Sequence, residues 1–334
     1  MKLNENQGTA EGVVLTARFK GPKSIVRHCC GLRFNDMILI NGLVLEPFMF
    51  LRLIDHLQKL RREASTLDKS IYLTQRSIQE YKLKLPSLFV TLEGKSKNDP
   101  KAEINDSGNK AAGELVERQC EVLLVWNYDA LHDSIKSEIL RWRFLPESTD
   151  RSLLEDKRKL LSTFLVLRIL DPVASKSPLS VRSFDDILIG FMSELADICE
   201  SRVRRGSEVL SVSTPFHLKQ FFNSWNSGIV SNVLGSQDAL LLVDVDLAPG
   251  SEGTVLLRND RFGRKQNLVG MMITSSCQFL DERVGLGLAV NFNSLVQDFL
   301  RKHKPNYMWK RIVLDDNSSS VTHENRIKDV LANR

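Results

Sequence analysis

Long apolar runs are missing from this sequence: no stretch approaches the ~18 uninterrupted apolar residues that a membrane-crossing helix needs. The opening MKLNENQGTAEG is polar where a secretory leader would carry its apolar region. These two absences point to an intracellular, soluble chain with no membrane partner. Cysteine is scarce as well. Cys29, Cys30, Cys120, Cys199 and Cys277 are an odd number without framework spacing, which fits a reducing compartment and excludes a disulfide scaffold. Charge of one sign is also lacking, since 46 Lys and Arg oppose 41 Asp and Glu. An excess of +5 over 334 residues is not the concentrated basic face of a dedicated nucleic-acid binder. Neither a GxxxxGK loop nor a GxGxxG turn occurs, so no motif asks for a nucleotide, and none asks for a metal or an organic cofactor.

What is present is the ordinary mixture of a folded protein, 42% hydrophobic and 26% charged, with about two domains' worth of chain at roughly 150 residues per domain. Eleven short aliphatic or β-branched runs, bounded by Gly, Asn and Asp, predict strands. They begin at Gly12, Met37, Ser87, Cys120 and Thr163 in the first half, and at Glu208, Ser227, Ala239, Gly253, Asn267 and Gly285 in the second. Regular short strands of this kind imply barrels or a sandwich rather than a parallel sheet with crossover helices.

Helical periodicity is confined to three places. Phe292, Leu295, Val296, Phe299 and Leu300 form one stripe directly after the last strand, with Asn291, Asn293 or Ser294 available as the N-cap. Phe184, Ile187, Leu188, Phe191 and Leu195 repeat the pattern, and Phe50, Leu53, Ile54, Leu57 and Leu60 follow it more loosely. Residues 95–113 contain almost no large apolar side chain and predict a disordered loop, and the polar stretch after Leu314 predicts a linker.

The order of several short motifs carries more information than any one of them. From Arg204 the chain reads RRGSEVLSVSTPFH, then NSGIVSNV, LLLVDVDLAPGSEGTVL, NLVGMMITSSC and GLGLAVNFNSLV. This succession resembles the HtrA/Deg class of serine proteases, with its "SPFG" strand, "SGIVS" strand, "PGNSGGPL" nucleophile loop and "GFAIP" strand before a helix. Within that class the chain is similar to the N-terminal half of the peroxisomal (glyoxysomal in plants) leader-peptide-processing protease family. STPFHLKQFFNSWNSGIVSN and LLLVDVDLAPGSEGTVL carry that likeness. The resemblance is strong over 204–300, moderate over 12–48 and weak between.

The resemblance implies a mainly β, trypsin-like pair of six-stranded barrels with a few helices, including one after the last strand. It implies a flexible N-terminus over 1–11, a first barrel over 12–180 with a helical insertion near 53–84, a second barrel with its helix over 181–303, and a tail over 304–334. It also locates the catalytic positions, and all three are lost. The histidine motif aligns with Ile38 to Leu45 and puts Leu43 in the histidine's place. The aspartate motif aligns with Thr163 to Ile169 and puts Thr163 where the carboxylate belongs. The nucleophile loop aligns with Pro249, Gly250, Ser251, Glu252 and Gly253, with Glu252 in the serine's place, while Thr254 and Val255 replace a Gly and a Pro. A one-residue shift would offer Ser251 as a hydroxyl, but no shift restores histidine and aspartate together, and the six histidines fall at none of the expected strand ends. The expected catalytic set is therefore empty.

As an implication of the same likeness, the chain contributes structure, dimerisation or substrate contact to a peroxisomal processing enzyme. Its partners would be the catalytic half, a second copy or leader peptides. The alternative is a stand-alone pseudoprotease module that regulates a partner protease. No SKL-type import signal ends the chain, so a peroxisomal location follows from the resemblance alone. His28, Cys29 and Cys30 lack the spaced pairs of a zinc site and predict core or surface cysteines. The basic run Lys59 to Lys84 is interleaved with Glu63, Asp68 and Glu80, and Arg301 to Arg311 follows a helix end; both predict solvated surface.

Overall fold

The computed structural model describes residues 10–19, 25–45, 72–74, 85–93, 115–139, 142–143, 158–170, 184–248, 250–259, 266–274, 277–279 and 282–303. Two closed six-stranded antiparallel barrels result, the arrangement of a trypsin-like fold.

The first barrel contains β1 (Ala10–Phe19), β2 (Ile25–Phe34), β3 (Met37–Asn41), β5 (Ser87–Glu93), β6 (Leu115–Asn127) and β8 (Thr163–Ile169). The thirteen-residue β6 closes it. Its start pairs with β5, at Leu115 to Cys120, and its end pairs with β8, at Cys120 to Asn127. A register shift between Val122 and Leu124 lets the strand bend from one partner to the other. A short β4 (Tyr72–Thr74) adds to the far side of β6, Tyr72 opposite Trp126. Leu15, Ile38, Ile40, Val90, Leu165 and Leu167 fill the interior, all fully buried, and each contributes about 1.5–3 kcal/mol relative to exposure.

The second barrel runs β10 (Ser224–Leu234), β11 (Leu240–Val245), β16 (Gly287–Asn291), β13 (Gln266–Thr274), β12 (Val255–Asn259), β9 (Glu208–Ser213) and back to β10. Val230, Leu241, Val243, Leu256, Val269, Met272 and Ala289 make its core. Three short strands, β7 (Trp142–Arg143), β14 (Cys277–Phe279) and β15 (Glu282–Val284), form a separate sheet.

Helices accompany the strands, three of them with bounds among the described residues. α1 (Asp129–Glu138) follows β6 and was not foreshadowed by any apolar stripe, because only Leu131 and Ile135 of its buried residues are large and apolar. α2 (Phe184–Ile198) and α3 (Phe292–His303) coincide with two of the periodic segments. Of the three possible caps for α3, Asn291 is used: its Oδ1 accepts a bond from the Asn293 N–H at 3.1 Å.

The described residues place several boundaries differently from the sequence reading. β1 already begins at Ala10, two residues inside the segment expected to be flexible. β2 was not foreseen at all. Tyr72–Thr74, within the expected helical insertion, is a strand, because its Tyr-Leu-Thr pairs in register with the end of β6. The rest of that insertion, including the stripe from Phe50 to Leu60, the loop 95–113 and the tail 304–334, lies outside the described residues. Compact units divide the chain after residues 180, 197 and 295: one comprises Met1–Ser180 with Ile198–Leu295 and holds both barrels, the other Val181–Asp197 with Val296–Arg334. Among the described residues, no helix is long and apolar enough to cross a membrane.

Candidate functional site at the junction of the barrels

In a trypsin-like enzyme the first barrel supplies base and acid and the second supplies nucleophile and oxyanion donors. β3 ends at Asn41, and the chain tightens at once into a 3-10 turn, Gly42–Leu45. Asn41 makes that turn. Its Oδ1 accepts from the Leu43 N–H at 3.0 Å, and its Nδ2 donates to the carbonyls of Leu161 (2.9 Å) and Thr163 (3.3 Å). Gly42 is required there, since a Cβ would lie 2.8 Å from the Thr163 Cβ. The histidine and aspartate positions are thus neighbours, on adjacent strands with Asn41 opposite Phe164.

Their occupants do other work. Leu43 packs against Leu160. Thr163 is buried; its Oγ1 donates to the Lys159 carbonyl at 2.7 Å and accepts from Asn127 Nδ2 at 3.3 Å. Neither side chain can take up a proton near neutral pH or hold a charge, so the first barrel supplies no acid–base pair at these two positions.

The second-barrel half is a tight turn leading into β12. Gly250 and Gly253 both have φ +86°, which favours glycine. The Ser251 N–H donates to the Ala248 carbonyl (3.2 Å), the Thr254 N–H to that of Ser251 (3.1 Å) and the Gly253 N–H to that of Met272 (2.8 Å). Pro249 lies outside the described residues. The turn docks on β2 through main chain: the Cys30 N–H donates to the Glu252 carbonyl at 2.7 Å, and a Cβ on Gly253 would lie 1.9 Å from the Cys30 oxygen. Gly31, the next residue of β2, lies against Ile40 at the end of β3. One strand therefore positions both halves of the site.

Glu252, in the nucleophile's place, is half-buried. A carboxylate there can accept hydrogen bonds but cannot serve as an activated hydroxyl. Ser251 is no substitute: its Oγ is wholly buried and has no hydrogen-bond partner.

The structure also gathers residues that the sequence reading left apart. His217, in the helical turn Pro215–His217 immediately after β9, lays its ring over Gly250 and bonds to that residue's backbone. His28, on the unforeseen β2, faces it at 5.0 Å between ring centroids, 34° apart in plane. His28 Nδ1 is 3.0 Å from the Thr16 hydroxyl. Burial, reinforced by His28, pushes His217 down to about 4, although the Gly250 backbone bond opposes the shift. Partial desolvation of its ring lowers His28 too, Glu117 opposing and Arg18 assisting. So a histidine does stand at a strand end beside the nucleophile turn, but it arises from the second barrel. Its Nε2 and the Ser251 Oγ are both buried without a partner, so the two are not bonded to each other.

The two cysteines beside the turn offer no nucleophile either. Cys30 Sγ points to the Gly250 carbonyl at 3.8 Å, and burial raises its thiol to about 11, with Thr214 and Thr254 opposing and Glu252 assisting. Burial likewise raises Cys29 well above the ordinary thiol value, with Cys30 and Glu252 assisting. Both are core residues. Among the described residues no three His, Cys, Asp or Glu side chains are grouped to hold a metal ion.

The signal that could have exposed this pairing is slight. The strand IVRHCCGLRF interrupts its alternation with Arg, His, two Cys and Gly, and His217 is visible in sequence only as a departure from "SPFG". Comparison of the chain with models of known protein families and with curated proteins finds no match.

Proposed function

We propose that this chain is the non-catalytic, trypsin-like half of a leader-peptide-processing serine protease of peroxisomes. Its work there is contact: with the catalytic half, with a second copy, or with the leader peptide. The observation that supports this reading most directly is the pairing of Leu43 with Thr163 beside a nucleophile turn that keeps its two left-handed glycines and carries Glu252. A whole double barrel whose chemical positions hold leucine, threonine and glutamate is what a partner-binding half requires and what a hydrolase cannot use. The motif order over 204–300 supplies the link to the family.

The contact role is supported by the surface of the β9–β10 connection and the first half of β10. Phe216, Leu218, Phe221, Trp225 and Ile229 are exposed large apolar side chains clustered within fourteen residues. Two assays on the purified chain test the reading. A serine-directed fluorophosphonate and a leader-peptide substrate should give neither labelling nor turnover. Mixed with a catalytic trypsin-like chain of the leader-peptide-processing family, it should co-elute as a complex at micromolar concentration. A labelled serine with turnover would sink the non-catalytic assignment, and separate elution at tens of micromolar would sink the partnership.

A further inference from the structure

We propose that the loop Thr214–Asn223 is an acid-released latch: the facing imidazoles of His217 and His28 fasten it over the Gly250 turn at neutral pH and release it on acidification. The inference concerns this loop alone and does not depend on the function proposed above.

The fastening is visible in the geometry. A Cβ on Gly250 would lie 2.7 Å from Cε1 of His217, 3.1 Å from Nδ1 and 3.2 Å from Nε2, so the ring covers the turn and fits only because residue 250 has no side chain. From the other barrel, His28 meets the same ring at 5.0 Å. Thr214 and Pro215 anchor the start of the loop in the interior, and the Thr214 hydroxyl accepts from the Asn223 N–H at 3.4 Å; beyond that anchor little else holds the loop down. Phe216, Leu218 and Phe221 are exposed, and Phe216, His217 and Asn223 have φ of 52°, 55° and 56°. Left-handed backbone at three residues that are not glycine is a strained state that persists only while its surroundings impose it. Few buried apolar contacts mark the loop as a low-stability segment.

The environment is hostile to a second positive charge. On β1 the Thr16 hydroxyl and Arg18 face His28, and on β6 so does Glu117, both of whose oxygens lie 2.7 Å from Arg18 Nη2. On β2 stands the neutral Cys30 thiol, and on the turn stand the Gly250 carbonyl and Glu252, whose charge is felt at Cys29 and Cys30. The buried Nε2 of His217 has no hydrogen-bond partner, so a proton added there would find no acceptor.

The sign follows. With the loop latched, His217 takes up a proton only near pH 4; released into water it would do so at the ordinary 6.5. Protons therefore bind the released form better, and the released fraction grows as pH falls from 6.5 toward 4. Between pH 8 and pH 5 these two values raise the released-to-latched ratio by about 30-fold.

Four amides report the latch: the N–H groups of His217, Leu218, Phe221 and Phe222 donate to the carbonyls of Thr214, Pro215, Leu218 and Lys219, all within the loop. Hydrogen exchange of the full chain at pH 8 and pH 5, each rate divided by its intrinsic rate, should show protection at these amides falling about 30-fold. The Gly253 amide, bonded to Met272, serves as the reference and should not follow. In His217→Asn the pH dependence should vanish, and in His28→Asn it should shrink. An equal fall in His217→Asn, or no fall in the unaltered chain, overturns the proposal. If His217→Asn releases the loop at every pH, the His217 ring titration followed by NMR in the unaltered chain decides: a midpoint below 5 upholds the latch and one near 6.5 overturns it.

Discussion

The two halves of the junction treat their polar atoms in different ways. On the first-barrel side the polar side chains at and beside the two positions are bonded: Asn41 spans three backbone groups, and Asn127, Ser162 and Thr163 are tied to one another and to the carbonyls of Arg158 and Lys159. On the second-barrel side Ser213 Oγ, Ser251 Oγ and His217 Nε2 are buried with none. The first half has become a structural joint whose polar atoms are used up. The second keeps the turn and its unused polarity, each such atom costing about 1–3 kcal/mol of desolvation.

The sharpest way to break this comparison is Gly253→Ala. A Cβ 1.9 Å from the Cys30 oxygen, on backbone at φ +86°, should cost roughly 3 kcal/mol or more and reduce the yield of folded chain, measured by denaturant unfolding. If stability hardly changed, the main-chain dock between turn and β2 would be wrong.

Next in size is Asn41→Ala. Its loss leaves the Leu161 and Thr163 carbonyls and the Leu43 N–H without their partner, which should cost about 2–3 kcal/mol in the same assay. A cost below 0.5 kcal/mol would mean that the first-barrel joint is not what holds the turn.

A smaller effect comes from pH. His217 is depressed in the folded chain, so the stability it confers is fully present above pH 6.5 and lost as pH falls toward 4. After discounting for solvent screening the loss should be about 1–2 kcal/mol, and thermal melting at pH 7 and pH 4.5, compared between the parent and His217→Asn, should show it. Smallest of all is Ser251→Ala. Removing a buried hydroxyl that bonds to nothing should leave stability unchanged or raise it by up to about 1 kcal/mol, whereas a loss above 1 kcal/mol would reveal a bond that the present geometry does not contain.

Much of this was readable in the chain. Strands such as MILIN and TFLVLRI are apolar almost throughout because neighbours cover them, and the runs at Glu208, Ala239 and Gly285 sit where barrel strands form. Motif order singled out Leu43, Thr163 and Glu252, and the structure places Leu43 in the turn after β3, Thr163 at the start of β8 beside it and Glu252 in the turn before β12. β2 was not legible. Its outer residues Val26, Arg27 and His28 are exposed while Cys29 to Leu32 are buried, so one strand mixes a polar end with an apolar one and shows no clean alternation. The His28–His217 pair was invisible for a further reason: 189 positions separate its members, and no local pattern encodes a contact between an unforeseen strand and a loop. α1 escaped because it begins directly at the end of β6, with no side-chain cap at Tyr128 to announce it.

The bond from the Cys30 amide to the Glu252 carbonyl, with Gly253 pressed against the same strand, joins the barrels through peptide groups rather than through side chains. Such a seam reads main chain and not side chains at two of its three positions. At 30 and 252 any residue that leaves the strand extended and the turn closed preserves the bond, whereas position 253 admits only glycine. The grip between the barrels and the chemistry offered at position 252 are thereby set by different atoms of one residue, its carbonyl and its side chain.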